Sequence, residues 1–173
     1  MAELVKRSLA ENCRCPFAVL QIACADGEGE QPFFIPARSS GSASLYRPHV
    51  ATACARHVVV RVRRFDDAVD WRSLPGRVMM KIDIEGAELS FLKGAARALA
   101  HLRPQIILEV NPFSASGAGA SLHQLATQLQ ALGYETFCEL DDPTPRHVAQ
   151  MDASRTRNVI LPRPALPSCG ITE

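Results

Sequence analysis

The stretch Lys81-Ile82-Asp83-Ile84-Glu85-Gly86-Ala87-Glu88 sets two acidic side chains at the end of a mostly apolar run that begins at Val78. Asp83 and Glu85 are two positions apart, so on a strand they point to the same side. A strand buried on both faces does not tolerate two carboxylates in its middle. At its carboxyl end they stand in the crevice where open α/β sheets bind ligands. Gly86 permits a tight turn into the helix that follows. The pair is therefore expected to belong to a site. The bland readings are an ion pair with Lys81 and, for Glu88, a first-turn acid that serves the helix dipole.

Working outward, the period turns helical from Ala87 to Leu102. Leu89, Leu92, Ala96 and Leu99 fall on one face, with Ser90, Lys93, Arg97 and His101 opposite, and Arg103-Pro104 stops the helix. Gln105 to Val110 reads as the next strand. If it runs parallel to the first, Glu109 reaches the same edge as Asp83 and Glu85, with Asn111-Pro112 just beyond. Acidic groups converging there could orient a hydroxyl, take its proton or bind a cation.

Upstream, residues 3–12 are helix-like, and Phe17 to Cys24 is an apolar run of strand length. Pro32-Phe33-Phe34-Ile35-Pro36 suits a short edge strand, residues 37–44 a loop, and His57 to Val62 a strand. Downstream, Ser121 with Gln124 forms a capping box for a helix through Leu132, and Gly133 ends it in a left-handed cap. Tyr134–Leu140 and Asn158–Leu161 are expected as antiparallel neighbours joined by a loop containing proline and aspartate. Ile106-Ile107-Leu108, apolar throughout, fits a central strand covered on both faces. Strand, helix, strand, helix, strand is the pattern of an open α/β sheet. One domain over residues 1–163 with a loose tail at 164–173 accounts for the chain.

Composition bounds the function. With 173 residues, 47% hydrophobic, and a formal net charge of +1, the chain has a real core and no long-range field to attract nucleic acid or an anionic membrane. Arg61, Arg63 and Arg64 are balanced by Asp66, Asp67 and Asp70. No apolar run approaches the roughly 20 residues of a membrane span, and the N-terminus lacks a secretory stretch. Cys13 and Cys15 are separated by one residue with no second pair, so no zinc knuckle is expected and no residue is assigned as a metal ligand. Cys24 and Cys138 read as buried small hydrophobes, in a reduced, cytoplasmic protein. Ser39 to Ser44 is not followed by Gly-Lys-Ser/Thr, and no Gly-x-Ser-x-Gly elbow occurs.

Lys81 to Glu88, then Leu92-Lys93-Gly94-Ala95, then Arg103-Pro104 leading into Ile106-Ile107-Leu108-Glu109, resembles the signature of the FkbM family of methyltransferases. Ala23-Cys24-Ala25-Asp26 with Gly29, the Ser42-Ala43-Ser44-Leu45 loop, and Val60 to Asp67 resemble the family in the same order. The resemblance implies a Rossmann-like class I fold, S-adenosylmethionine as cofactor, and methylation of a hydroxyl on a sugar or natural product. It implies Asp83 beside the methyl donor, Ala23 and Cys24 near the adenine, and Glu109 and Ser44 on the acceptor side. Asp83 or Glu85 would help remove the hydroxyl proton.

The chain departs from that family in one respect. Neither the glycine-rich loop after the first strand nor the ribose-binding acid after the second occurs in it. By the family's sheet order, the absent strands would lie between Phe17–Cys24 and Val78–Ile84. The alternative to an enzyme is a fragment or accessory module that binds a partner, or a second copy, through exposed strand edges.

Overall fold

A computed structural model describes residues 2–37, 40–46, 54–74 and 76–165. In chain order the elements are α1 (Ala2–Asn12), β1 (Ala23–Cys24), β2 (Gly29–Pro36), β3 (Cys54–Arg63), α2 (Phe65–Ala68), β4 (Met79–Ile82), α3 (Glu88–Gly94), α4 (Ala96–Leu102), β5 (Gln105–Val110), α5 (Pro112–Gly117), α6 (Leu122–Ala131), β6 (Thr136–Glu139), β7 (Asp142–His147) and β8 (Arg157–Leu161). The strands form two sheets, ordered β1-β3-β2 and β4-β5-β8-β6-β7.

In the first sheet the valine-rich β3 pairs antiparallel with β2 from Gly29↔Val62 to Pro36↔Cys54. Pro32 sits on this edge strand, where a missing N–H costs no interior ladder bond. The run expected as a strand over Phe17–Cys24 is one only at Ala23–Cys24, whose two residues pair parallel with Val62 and Arg63. Phe17 and Leu20 are exposed. Among the described residues no neighbouring backbone pairs with those earlier residues, and an apolar run alone does not make a strand. Helix α1 forms as expected but buries none of its residues.

The second sheet carries the core. β4 and β5 run parallel as expected, and β8 lies antiparallel between β5 and β6. Ile106, Leu108 and Val110 are buried against Leu92, Leu99, Leu125 and Leu129 of α3, α4 and α6. The alternate residues Gln105, Ile107 and Glu109 are not buried. Coverage of β5 on both faces is therefore corrected: helices pack on one face, and Ile107 is half-buried on the other. The outer edge of β4 has no partner strand among the described residues, and Met79 is exposed there.

The helix expected over 87–102 is two. α3 lies so close to the first sheet that a Cβ at Gly94 would stand 2.0 Å from the Ala25 carbonyl oxygen. After Ala95 the helix restarts because the buried Asp66 carboxylate accepts the Arg97 and Ala98 N–H groups at 2.9 and 2.8 Å. The carboxylates of Asp66 and Asp67 thereby pair with Arg97, while Arg63 of β3 donates to the Asp67 carbonyl oxygen. The Ser121–Gln124 capping box and the left-handed Gly133 are in place. The loop expected between the last two strands contains β7, an edge strand antiparallel to β6 whose Pro143 and Pro145 disguise it. Cys24 and Cys138 are half-buried rather than buried. The Ala165 carbonyl accepts from Arg103; the expected tail beyond it lies outside the described residues.

Candidate functional site

β4 stops at Ile82, which is in register with Leu108 of β5. The next residues, Asp83 and Glu109, emerge together at the carboxyl edge, and Glu109 is paired with Asn158 of β8. One oxygen each of Asp83, Glu85 and Glu109 lies within 4.8 Å of the other two. The positive charge at this cluster is supplied by the chain. Lys81 Nζ donates to Asp83 Oδ2 at 2.8 Å and to Asn158 Oδ1 at 3.1 Å, arching from β4 over β5 to β8.

Convergence of Asp83 and Glu85 comes about differently from the expectation. Glu85 is not on a strand but in the turn after it, with φ of 52°, a left-handed conformation uncommon for a residue with a side chain. Gly86 follows at φ 100°, and a Cβ there would stand 2.5 Å from the Ser114 carbonyl oxygen. The turn is held from inside by Glu88, buried at 4% exposure, whose Oε1 accepts the N–H groups of Ile84 and Gly86, each at 3.2 Å. Burial pushes the Glu88 carboxyl above its ordinary range, against the pull of those N–H donors. Its part is architectural, as its first-turn position implied.

The three carboxylates are unequally provided for. Asp83 has Lys81. Glu85 Oε2 accepts from the Ser114 hydroxyl at 3.3 Å. Glu109 Oε2 is out of reach of solvent with no hydrogen-bond partner among the described residues. Desolvation, and then the charges of Asp83, Glu85 and Glu88, push the Glu109 carboxyl up to about 7, with Lys81 opposing.

Ser44 is brought to the same turn from the first sheet, but its hydroxyl donates to the Glu85 carbonyl oxygen at 2.6 Å. Ala23 and Cys24 stand in the other sheet. Just beyond them, the Asp26 N–H and carboxylate are both engaged by the Ser90 hydroxyl of α3. Burial raises the Cys24 thiol. Ser114 and Asn158 were missed in the sequence. Ser114 sits in α5, whose start, an Asn111 cap followed by Pro112 at the first helical position, was legible as a helix signal. Nothing local marked Asn158.

The fold and site define a mixed α/β protein with an acidic cluster at the carboxyl edge of two parallel strands. The chain belongs to the methyltransferase FkbM domain family, whose model matches residues 3–136. It is similar in fold to the crystal structure of methyltransferase FkbM from Methylobacillus flagellatus KT, with a TM-score of 0.50 and 17% identity. That match covers 91% of this chain and 32% of the other, so this chain spans about a third of its length. No curated protein matches.

Proposed function

We propose that the chain carries the carboxylate side of an S-adenosylmethionine-dependent methyltransferase site that methylates a hydroxyl on a sugar or natural product. The observation that carries this reading is the Asp83–Glu85–Glu109 cluster at the edge where an α/β sheet takes its ligands. Family membership supports methyl transfer as the chemistry. Within the cluster, the carboxylates orient the acceptor hydroxyl and one of them takes its proton as the oxygen becomes a nucleophile. Asp83, exposed and held by Lys81, and Glu85 remain the candidates named by the resemblance for that proton.

The described residues fit the acceptor side of such a reaction and do not fit the nucleoside end of the cofactor. A nucleoside site in this type of sheet uses main-chain N–H groups of a glycine-rich loop. Here the segment beyond Ala23 and Cys24 is closed by α3, through Gly94 on Ala25 and Ser90 on Asp26. The reading places a further strand against the outer edge of β4, which has no partner strand among the described residues. The free thiols of Cys13, Cys15, Cys24 and Cys138 accord with a reduced, cytoplasmic setting. Among the described residues no helix is long and apolar enough to cross a membrane.

Calorimetric titration of the 173-residue chain with S-adenosylmethionine is expected to show weak binding or none; micromolar affinity would overturn the reading of the cofactor side. In a longer chain with methyl transfer activity, Asp83→Asn is expected to lower turnover about 100-fold with little loss of stability. Unchanged turnover removes Asp83 from the chemistry. The edges of β1 and β4, unpaired among the described residues, favour one other reading, a module that binds a partner strand without catalysis; concentration-dependent oligomers with no transfer in any longer chain would select it.

A further inference from the structure

The backbone at Glu85 is costly, and the chain holds it there deliberately from several sides. Among described residues other than glycine, only Arg103, at φ 43°, shares a left-handed conformation, and Arg103 is the cap after α4, where that conformation is ordinary. Glu85 has no such excuse. It precedes Gly86, itself left-handed, and a glycine at 85 would adopt the same φ without strain. Strain of this kind persists only where surrounding contacts over-determine it.

We propose that Ser44 is a positioning residue, whose hydroxyl holds the Glu85 peptide in its left-handed conformation and so aims the Glu85 carboxylate at Asp83 and Glu109. The hydroxyl of Ser44 donates its one proton to the Glu85 carbonyl oxygen at 2.6 Å and accepts the Tyr46 N–H at 3.1 Å. The second bond orients the first: with its oxygen occupied by Tyr46, the hydroxyl proton is directed to Glu85. The Ser44 backbone is itself pinned, since its N–H and carbonyl exchange bonds with Phe34 of β2 at 3.1 and 2.8 Å. At 6% exposure the hydroxyl is not offered to a ligand. Ser44 thus couples the first sheet to the acidic cluster across 41 positions of sequence. Ser114 completes the grip on the carboxylate itself, and Glu88 on the flanking N–H groups. The inference rests on Glu85 being a site residue, the reading given above.

Two measurements on the 173-residue chain test it, neither needing a methyl donor or an acceptor, so failure of the methyl-transfer reading leaves both unaffected. The first follows the Glu109 carboxyl by ¹³C NMR across pH, because Glu109 is faced by Asp83, Glu85, Glu88 and Lys81 and senses where the Glu85 charge stands. Ser44→Ala is expected to lower the Glu109 midpoint by about half a unit, as Glu85 swings away, while Ser44→Thr keeps it near the wild-type value. A purely structural serine would change Tm and leave that midpoint in place, and this result overturns the proposal. The second compares Glu85→Gly with Glu85→Gln, which lose the same charge but differ in backbone freedom. Glu85→Gly is expected to have the higher Tm by about 3 °C. Equal or lower Tm for the glycine variant removes the strain on which the argument stands. Should Ser44→Ala fail to fold, this pair still tests the strain that Ser44 is proposed to hold.

Discussion

Glu139 and Glu109 occupy the same sheet, on β6 and β5 with β8 between them, and point to opposite faces. Glu139 is buried at 3% exposure and met by three guanidinium groups, Arg146 at 3.1 Å, Arg157 at 3.0 Å, and Arg155. Arg157, also buried, is shared with Asp152, whose carboxyl it holds well below the usual range. Glu109 has carboxylates for neighbours and an oxygen with no donor among the described residues. A buried charge is tolerated when its partners come from the same chain, and then it serves the fold. A carboxylate left short of partners keeps its proton affinity high and its lone pairs available, which suits a group that meets something from outside.

The contrast makes three predictions. Removing the well-partnered acid is expected to have the largest effect. Glu139→Gln removes the buried charge that Arg146, Arg155 and Arg157 share, leaves Arg157 to Asp152 and Ser154, and should destabilise the fold by about 3 kcal/mol, read from urea unfolding. A loss below about 1 kcal/mol would mean that the guanidinium groups are satisfied without it. Glu109→Gln should do the reverse in character. In the wild type, folding raises the proton affinity of Glu109, so its contribution to stability is full below about pH 4.5 and is lost as pH rises to about 7. The glutamine variant should lack that decline in urea midpoints measured across the window. A slope identical to wild type would assign the pH dependence to other groups, Glu88 foremost. Arg155→Ala should matter least, under about 1 kcal/mol, because its side chain is more than half exposed and Arg146 and Arg157 remain on Glu139. A larger loss would show that the network acts as a unit.

Much of this arrangement was legible beforehand where the signal is local. The helix over 122–131 follows from a capping box and a leucine period, and the end of β4 from two carboxylates that no buried strand accommodates. The misreadings also have local causes. β7 hides behind Pro143 and Pro145, which an edge strand tolerates. Phe17 to Cys24 has strand composition but, beyond Ala23–Cys24, no strand to pair with among the described residues. The break at Ala95 is invisible in a period that continues through it, since it depends on Asp66 arriving from 31 and 32 positions away.

The sequence by itself determined that Asp83 and Glu85 would emerge where a buried strand ends, because burial forbids two carboxylates in its middle, with Glu109 joining them if the next strand ran parallel. Only the tertiary structure decided how they differ. Lys81 reaches Asp83 and Asn158, Ser44 and Ser114 take hold of Glu85, and Glu109 is left with an oxygen unpaired among the described residues. Those distinctions rest on contacts between residues far apart in the chain. A carboxylate's proton affinity is set by what surrounds it in space, and no spacing along the backbone encodes that.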